Sequence, residues 1–396
     1  MTATAPNPQS RTTGLSLEPL DVLFFRDGRP YGAALDGQSR FPLPQTFAGA
    51  IRTYLLREAG CDFDRLKEGL AARMPLDAAI DAAGGPGWVG RMSIRGPWLA
   101  RLPDQDQARK QPEVLVPMPS TIHRLKGQGG GDAAPGQGRK PDPLLRLDPL
   151  SPGHELPGWR PERPGMRPLW LLPKARTERA GGFLTPDGLR AFLAGQAPGP
   201  EDVLQPKDLY AFDRRTGIGI DPDRLSAQES LIYTASFLAL KPGVGWYLEI
   251  VLPDDAPADP FSGAAWLALG GEGRQAKIEC VERFPWPEPP QASGKGTLLL
   301  LTTPAVFEAG WCPNCLANDG RLVAASVPAH VPVSGWDLAR GGPKPARFAV
   351  PAGSVYFLSN PVDPLPPGSL ADKVEDAREG WGCYLKGAWN YAGNQK

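Results

Sequence analysis

Five consecutive residues offer the sharpest chemistry in this chain: Gly270-Gly271-Glu272-Gly273-Arg274. Glycine has no Cβ, so three glycines in four positions let backbone N–H groups turn outward and let a phosphate or ribose come close. Arg274 adds a planar, bidentate donor for a phosphate. A tight helix-to-strand turn uses the same pattern, and this stretch alone leaves both uses open. A second candidate lies near the N-terminus. A strand-like run from Leu15 to Phe24 leads into a loop carrying Arg26 and Arg29, and Pro44 then opens a helix. A strand, a basic loop and a helix N-terminus together make a phosphate site. Gln45 or Thr46 is expected to cap that helix. Phe47, Ile51, Tyr54 and Leu55 fall on one stripe and are expected to be buried, with Gly49 and Arg52 on the other side. A mid-helix glycine costs about 1 kcal/mol against alanine, and one turn from an open N-terminus it points to close approach of the backbone. The plain alternative is an ordinary β-loop-α unit.

Other residues with chemical potential are isolated. Cys312-Pro-Asn-Cys315 is a lone pair of thiols, and tetrahedral zinc takes about four ligands. The remaining cysteines are Cys61, Cys280 and Cys383, and Cys280 is expected at a core-facing strand position. The motif therefore reads as a reduced turn, with no metal or cofactor expected. His123, His154 and His330 have no nucleophile or carboxylate pair beside them. The chain contains no phosphate loop ending in Gly-Lys-Ser/Thr, no His-Glu-x-x-His and no Gly-x-Ser-x-Gly. These absences argue against catalysis. Trp98, Trp159 and Trp170 lie in a basic region, where they suit base stacking or a protein interface equally.

The elements that must position these residues are short. In 396 residues there are 47 Gly and 47 Pro, which excludes a helical bundle and favours many strands and loops. That length suggests two domains. Net charge is zero, but residues 91–180 hold 16 Lys and Arg against 9 Asp and Glu, while residues 181–290 hold 9 against 16. Such asymmetry fits a polyanion on one face and a basic partner on another. No apolar run reaches the ~18 residues of a membrane helix. The polar start, Met1 to Thr13, has no signal-peptide core, so a cytoplasmic protein with reduced thiols is expected.

A weaker helical segment is expected from Phe63 to Ala83, a strand within Trp88 to Leu102, and at most an edge strand from Glu113 to Met118, because of Pro117 and Pro119. Residues 127–143 are low-complexity sequence that cannot bury a core. They sit inside a loop-rich insertion, about 99–206, with one strand (Arg167 to Pro173) and one helix (Thr185 to Ala194). Strands are then expected at Arg214–Asp221, Ser230–Leu240, Trp246–Leu252 and Gln275–Val281, with a short helix from Phe261 to Leu269. This β-α-β-β-α-β order is that of a ferredoxin-like fold. The stiff Pro285-Trp-Pro-Glu-Pro-Pro290 segment marks the boundary. After it, strands at 296–303, 321–327 and 347–358, a helix at 369–378 and a glycine loop at 380–387 repeat the layout. The fold class read is α+β: two ferredoxin-like (RRM-like, βαββαβ) domains, 1–287 and 288–396, with the insertion in the first.

Leu17-Glu-Pro-Leu-Asp-Val-Leu-Phe-Phe-Arg-Asp-Gly-Arg-Pro30 is similar to the start of the RAMP-superfamily subunit numbered three in the Cmr complex, the type III-B CRISPR effector. Pro42 to Arg52 resembles that family's first helix entry, Arg214 to Leu240 its paired strands and Leu269 to Arg274 its glycine loop. Ser334-Gly-Trp-Asp-Leu338 and Val350 to Phe357 resemble its C-terminal half. The resemblance implies a non-catalytic subunit, present once in a hetero-oligomeric antiviral-defence particle. It would grip the repeat-derived 5′ tag of the guide RNA (crRNA) and touch the large palm-domain subunit and a backbone RAMP subunit. On that basis Arg26, Arg29, Thr46 and Arg52 are expected to meet RNA at the first strand-loop-helix. Arg214, Arg215, Gly270, Gly271, Gly273, Arg274 and Lys277 would contribute from the sheet face and glycine loop, and Lys386 from the second loop. An alternative is a metal-independent endonuclease that processes precursor crRNA, with His123 or His154 as base. A third is a protein-binding adaptor.

Overall fold

Leu15 and Leu17 are wholly buried and bracket the more polar Ser16, so the first apolar run forms a strand, β1 (Arg11–Pro19). The computed structural model describes residues 11–25, 36–37, 41–103, 111–126, 143–171, 176–220, 227–261, 265–288, 296–317, 320–337, 342–359 and 365–392. Pro44 presets the first turn of α1 (Pro44–Glu58), which buries Phe47, Ile51 and Leu55. Its N-cap is Leu43, which has no side-chain acceptor, so neither Gln45 nor Thr46 caps the helix. Gln45 instead donates from Nε2 to the Ser334 carbonyl at 2.8 Å. The next helical segment is broken at Met74-Pro75 into α2 (Phe63–Ala71) and α3 (Leu76–Ala82).

The chain continues through β2 (Ser93–Arg101), β3 (Glu113–Pro117), β4 (Phe183–Leu184), α4 (Pro186–Leu193) and β5 (Val203–Leu204). A long hairpin follows, β6 (Tyr210–Ile220) and β7 (Ala227–Leu240), then β8 (Val244–Leu252), β9 (Ala265–Ala268) and β10 (Gln275–Val281). The main sheet has the order β5-β4-β3-β2-β8-β1-β10-β9. Its central strands β2, β8, β1 and β10 are mutually antiparallel. A second sheet is built from β11 (Gly296–Leu301), β12 (Leu322–Ser326), β13 (Val355–Ser359) and β14 (Tyr384–Trp389), with helices α5 (Asn314–Ala317) and α6 (Val374–Arg378) between them. Its order is β12-β13-β11-β14, all antiparallel. The molecule is thus a mixed α/β protein with antiparallel sheets.

Several expectations are corrected. Residues 265–268 are a strand, not the end of a helix: Leu267 is buried between exposed Trp266 and Ala268, and period-two burial wins. Strand β3 is not an edge. It bonds β2 on one side and β4 on the other, and Pro117 is its last residue. The region 99–206 is more than a loop-rich insertion, because β3, β4 and β5 extend the main sheet. Its α4, capped by the Thr185 hydroxyl at Gly188 N, places Leu189, Phe192 and Leu193 against Leu298, Leu300, Phe357 and Trp389 of the second sheet. Of residues 127–143 only Pro143 is among those described. The last helix spans Val374–Arg378 alone. Cys280 is exposed; the inward positions of β10 are Ala276 and Ile278.

A buried arginine joins these parts. Arg146 donates to Asp148 at 3.1 Å, to the Phe192 carbonyl at 2.9 Å and to the Ala388 carbonyl at 3.2 Å. Burial pulls the arginine below its ordinary value and pushes Asp148 above the usual carboxylate range, each opposed by its partner. Pro-rich residues 285–288 are also held to the fold. Trp286 packs edge-on to Trp98 and Phe284 and donates from Nε1 to buried Glu249 at 2.9 Å.

Candidate nucleic-acid interface

A cleft of about 1050 Å³ opens between α1, the β9–β10 turn and the C-terminal half. Thr46, Gly49 and Tyr54 form one wall, from the first three turns of α1. Gly49 has open space where a Cβ would stand, so this helix surface stays thin. Trp266, Gly270 and Gly271 form the opposite wall, and Ser334 and Lys344 lie toward the C-terminal end. The floor is aromatic. Phe41 meets Tyr210 edge-on at 4.9 Å and Trp246 at 5.4 Å. The buried indole Nε1 of Trp246 has no hydrogen-bond partner among the described residues.

The Gly270–Arg274 loop is a strand-to-strand turn, because β9 precedes it. Gly270 (φ +81°), Glu272 (φ +59°) and Gly273 (φ +65°) are in the left-handed region. Gly270 is pressed onto Phe24, whose carbonyl lies 2.5 Å from the position of a Cβ, and Gly271 N donates to that carbonyl at 2.8 Å. The loop therefore leans on residues 21–25 with one side and faces the cleft with the other. Residues 21–25 in turn bridge to β7, through paired hydrogen bonds of 2.8 Å between Leu23 and Leu238.

Beside the loop two guanidiniums stack on one ring. Arg215 lies 4.9 Å and Arg274 5.1 Å from the Phe237 centroid. Arg274 also pairs with Asp21 at 3.1 Å and Glu272 at 3.8 Å, and Arg215 with Asp213 at 2.8 Å. These carboxylates are exposed, so an arriving phosphate exchanges one solvated anion for another. Arg274 Nε is buried with no partner among the described residues.

The expected residues separate into groups. Thr46, Gly270 and Gly271 line the cleft, and Gly273 is in the same loop. Arg215 and Arg274 meet at Phe237, and Arg214 is exposed on the same strand, β6. Lys277 is on β10 and bonds Glu279 at 2.6 Å. Arg52 is largely covered and pairs with Glu379 at 3.7 Å, and burial lowers its guanidinium below the ordinary value. Lys386 lies on β14, opposite Leu299, not in a loop. Arg26 and Arg29 fall outside the described residues. The second glycine loop does not open outward. A Cβ on Gly380 (φ +95°) would lie 2.4 Å from the Gly96 carbonyl, and Trp381 is wholly buried.

Phe237, Phe41, Trp246, Trp266 and Lys344 escaped the sequence reading. The alternation of β7 puts Phe237 on one face with Ala235, but no local signal sets that face beside the glycine loop. His123 lies 3.3 Å from the Thr177 hydroxyl and His154 3.1 Å from that of Ser151, and neither lines the cleft. Among the described residues no group of three or more His, Cys, Asp or Glu could hold a metal ion, and no helix is long and apolar enough to cross a membrane.

The family model described as CRISPR-associated protein (Cas_Cmr3) matches residues 15–389. The chain belongs to the Cmr3 family. That match spans both sheets and the region between them. No curated protein sequence matches the chain. Similar chains occur in two cryo-EM structures of the Type III-B Cmr-beta, one bound to cognate target RNA and AMPPnP in state 1, the other to cognate target RNA. Their identities are 18% and 17%, each with a TM-score of 0.47, covering 87% of this chain and 86% of the other.

Proposed function

We propose that this Cmr3-family chain is a non-catalytic subunit of a type III-B effector. It would bind the 5′ tag of the guide RNA in the cleft and bridge the palm-domain and backbone RAMP subunits. The observation that carries the reading is the pairing of chemistries at one place. Glycine backbone, a thin helix face and an aromatic floor line the cleft, with Arg215 and Arg274 stacked on Phe237 beside it. Single-stranded RNA is gripped by this combination: phosphates by arginine and backbone N–H groups, unstacked bases by aromatic faces. Arg214, Arg215, Arg274, Thr46, Gly270 and Gly271 carry the site in this reading, while Arg52 and Lys277 serve the fold. Family membership supports the particle. Both central sheets have their strands in the spatial order second, third, first, fourth, which supports two ferredoxin-like units with β9 in place of one helix.

The test is Arg274→Glu in the reconstituted complex, with guide RNA retention measured across a salt series. Loss of one single-strand phosphate contact lowers the salt slope by about 0.7. An unchanged slope and occupancy remove Arg274 from the interface. Incubating the protein with repeat RNA in EDTA tests the nuclease alternative, for which intact RNA is the expected result.

A further inference from the structure

The Cys312-Pro-Asn-Cys315 turn lies away from the cleft, and it is fixed from several directions. The Tyr356 hydroxyl donates to the Trp311 carbonyl at 2.6 Å. The Asp372 carboxylate accepts from Glu308 N at 2.8 Å and Asn314 N at 2.7 Å. From residues 160–167 comes a two-residue clasp. Arg163 Nη1 lies 3.1 Å from Cys312 Sγ and donates to the Ala317 carbonyl at 3.0 Å, with its guanidinium 4.8 Å over the Trp311 ring. Glu162 accepts from Trp311 Nε1 at 2.7 Å. Cys312 is wholly buried, Cys315 is half-buried, and neither is part of a disulfide.

Two thiols three residues apart in one tight turn have Cα atoms about 5–6 Å apart, within the range a disulfide spans. A turn held this firmly loses little further freedom when the ring closes, so each thiol is at high effective concentration for the other. Metal binding is the poorer use of the pair. No further ligands stand beside it among the described residues, and the Arg163 cation already occupies the Cys312 sulfur. We propose that Cys312 and Cys315 are a thiol–disulfide modification site, closed to an intramolecular disulfide by low-molecular-weight disulfides such as glutathione disulfide.

The exchange runs through the more accessible sulfur. Cys315, as thiolate with its proton released to solvent, attacks one sulfur of the small disulfide. A mixed disulfide forms and one small thiolate leaves. Cys312 then gives up its proton and attacks the Cys315 sulfur, and the second small thiolate leaves. The protein loses two hydrogens, and the small disulfide, taking two electrons, is reduced to two thiols. The Cys312 sulfur is then no longer a thiol, so Arg163 loses that partner and the clasp on residues 160–167 loosens.

Incubation of the full chain with glutathione disulfide, followed by alkylation and peptide mass spectrometry, tests this. Exposed Cys280 serves as the internal control for plain accessibility. Cys312 and Cys315 should lose alkylation together, Cys312→Ser should trap glutathione on Cys315, and Cys315→Ser should leave Cys312 unmodified. Cleavage after Glu162 by a glutamate-specific protease should accelerate about tenfold on oxidation, the effect of one lost hydrogen bond to a charged group. Modification of Cys280 while Cys312 and Cys315 both remain alkylatable would overturn the proposal. So would a mixed disulfide that persists on wild-type Cys315, or an oxidised pair with unchanged cleavage.

Discussion

Each half of the chain places glycines just before the last strand of its central sheet, and the two loops do opposite work. In Gly270–Arg274, Gly270 is pressed onto Phe24, but Gly273 has open space around it and the loop faces a cleft. In the second, Gly380 abuts the Gly96 carbonyl and Gly382 abuts Ala371 N, and Gly387, inside β14 itself, abuts the Leu193 carbonyl. There the absence of a Cβ lets backbone meet backbone, joining α6 and β14 to β2 and α4. Glycine clusters of similar appearance thus serve a ligand-facing turn in one half and close internal packing in the other. The difference lies in what stands opposite, which is set by distant parts of the chain.

That contrast can be broken by substitution. Gly380→Ala meets both a left-handed φ and a backbone carbonyl, so a loss of about 4 kcal/mol is expected in denaturant unfolding; a loss under about 1 kcal/mol would mean that the second loop is open after all. Arg52→Ala should lower stability by about 1 kcal/mol through the lost Glu379 pair and lost packing, with the salt slope of guide RNA binding unchanged. A flatter slope at full stability would return Arg52 to the interface. Gly273→Ala, strained in φ but unobstructed, should lose about 1 kcal/mol and keep RNA retention intact. The smallest effect is on acid sensitivity. Burial, aided by Arg179, holds His123 below its ordinary value of 6.5. Above that value the residue is neutral in both states. Below it the unfolded chain binds the proton first, so stability falls as pH drops toward the folded-state value. His123→Gln should flatten the decline in melting temperature between about pH 5 and 7.

Strand β10, whose inward residues alternate, the apolar runs of β1 and β8, and the helix opened by Pro44 were legible because pattern and proline act locally. The glycine loop was legible as a turn, but its neighbours were not. Asp21, Phe24 and Phe237 reach it from sites far along the chain, and no spacing rule brings them together. Residues 265–268 misled because Ala-Trp-Leu-Ala, with two alanines and a leucine, favours helix on its own, and pairing with β10 overrode that preference. Arg52 misled because the polar side of α1 faces Glu379 from the other half. Proline concealed β3, whose neighbours β2 and β4 supply the pairing regardless.

The position of α4 has a consequence for how the molecule is made. Its apolar face covers Leu298, Leu300 and Phe357, yet it is encoded more than a hundred residues before them. A fragment begun at residue 288 would leave that side of its sheet wet and adhesive. On the ribosome the order is favourable, since the cover emerges first and waits for the surface it will seal.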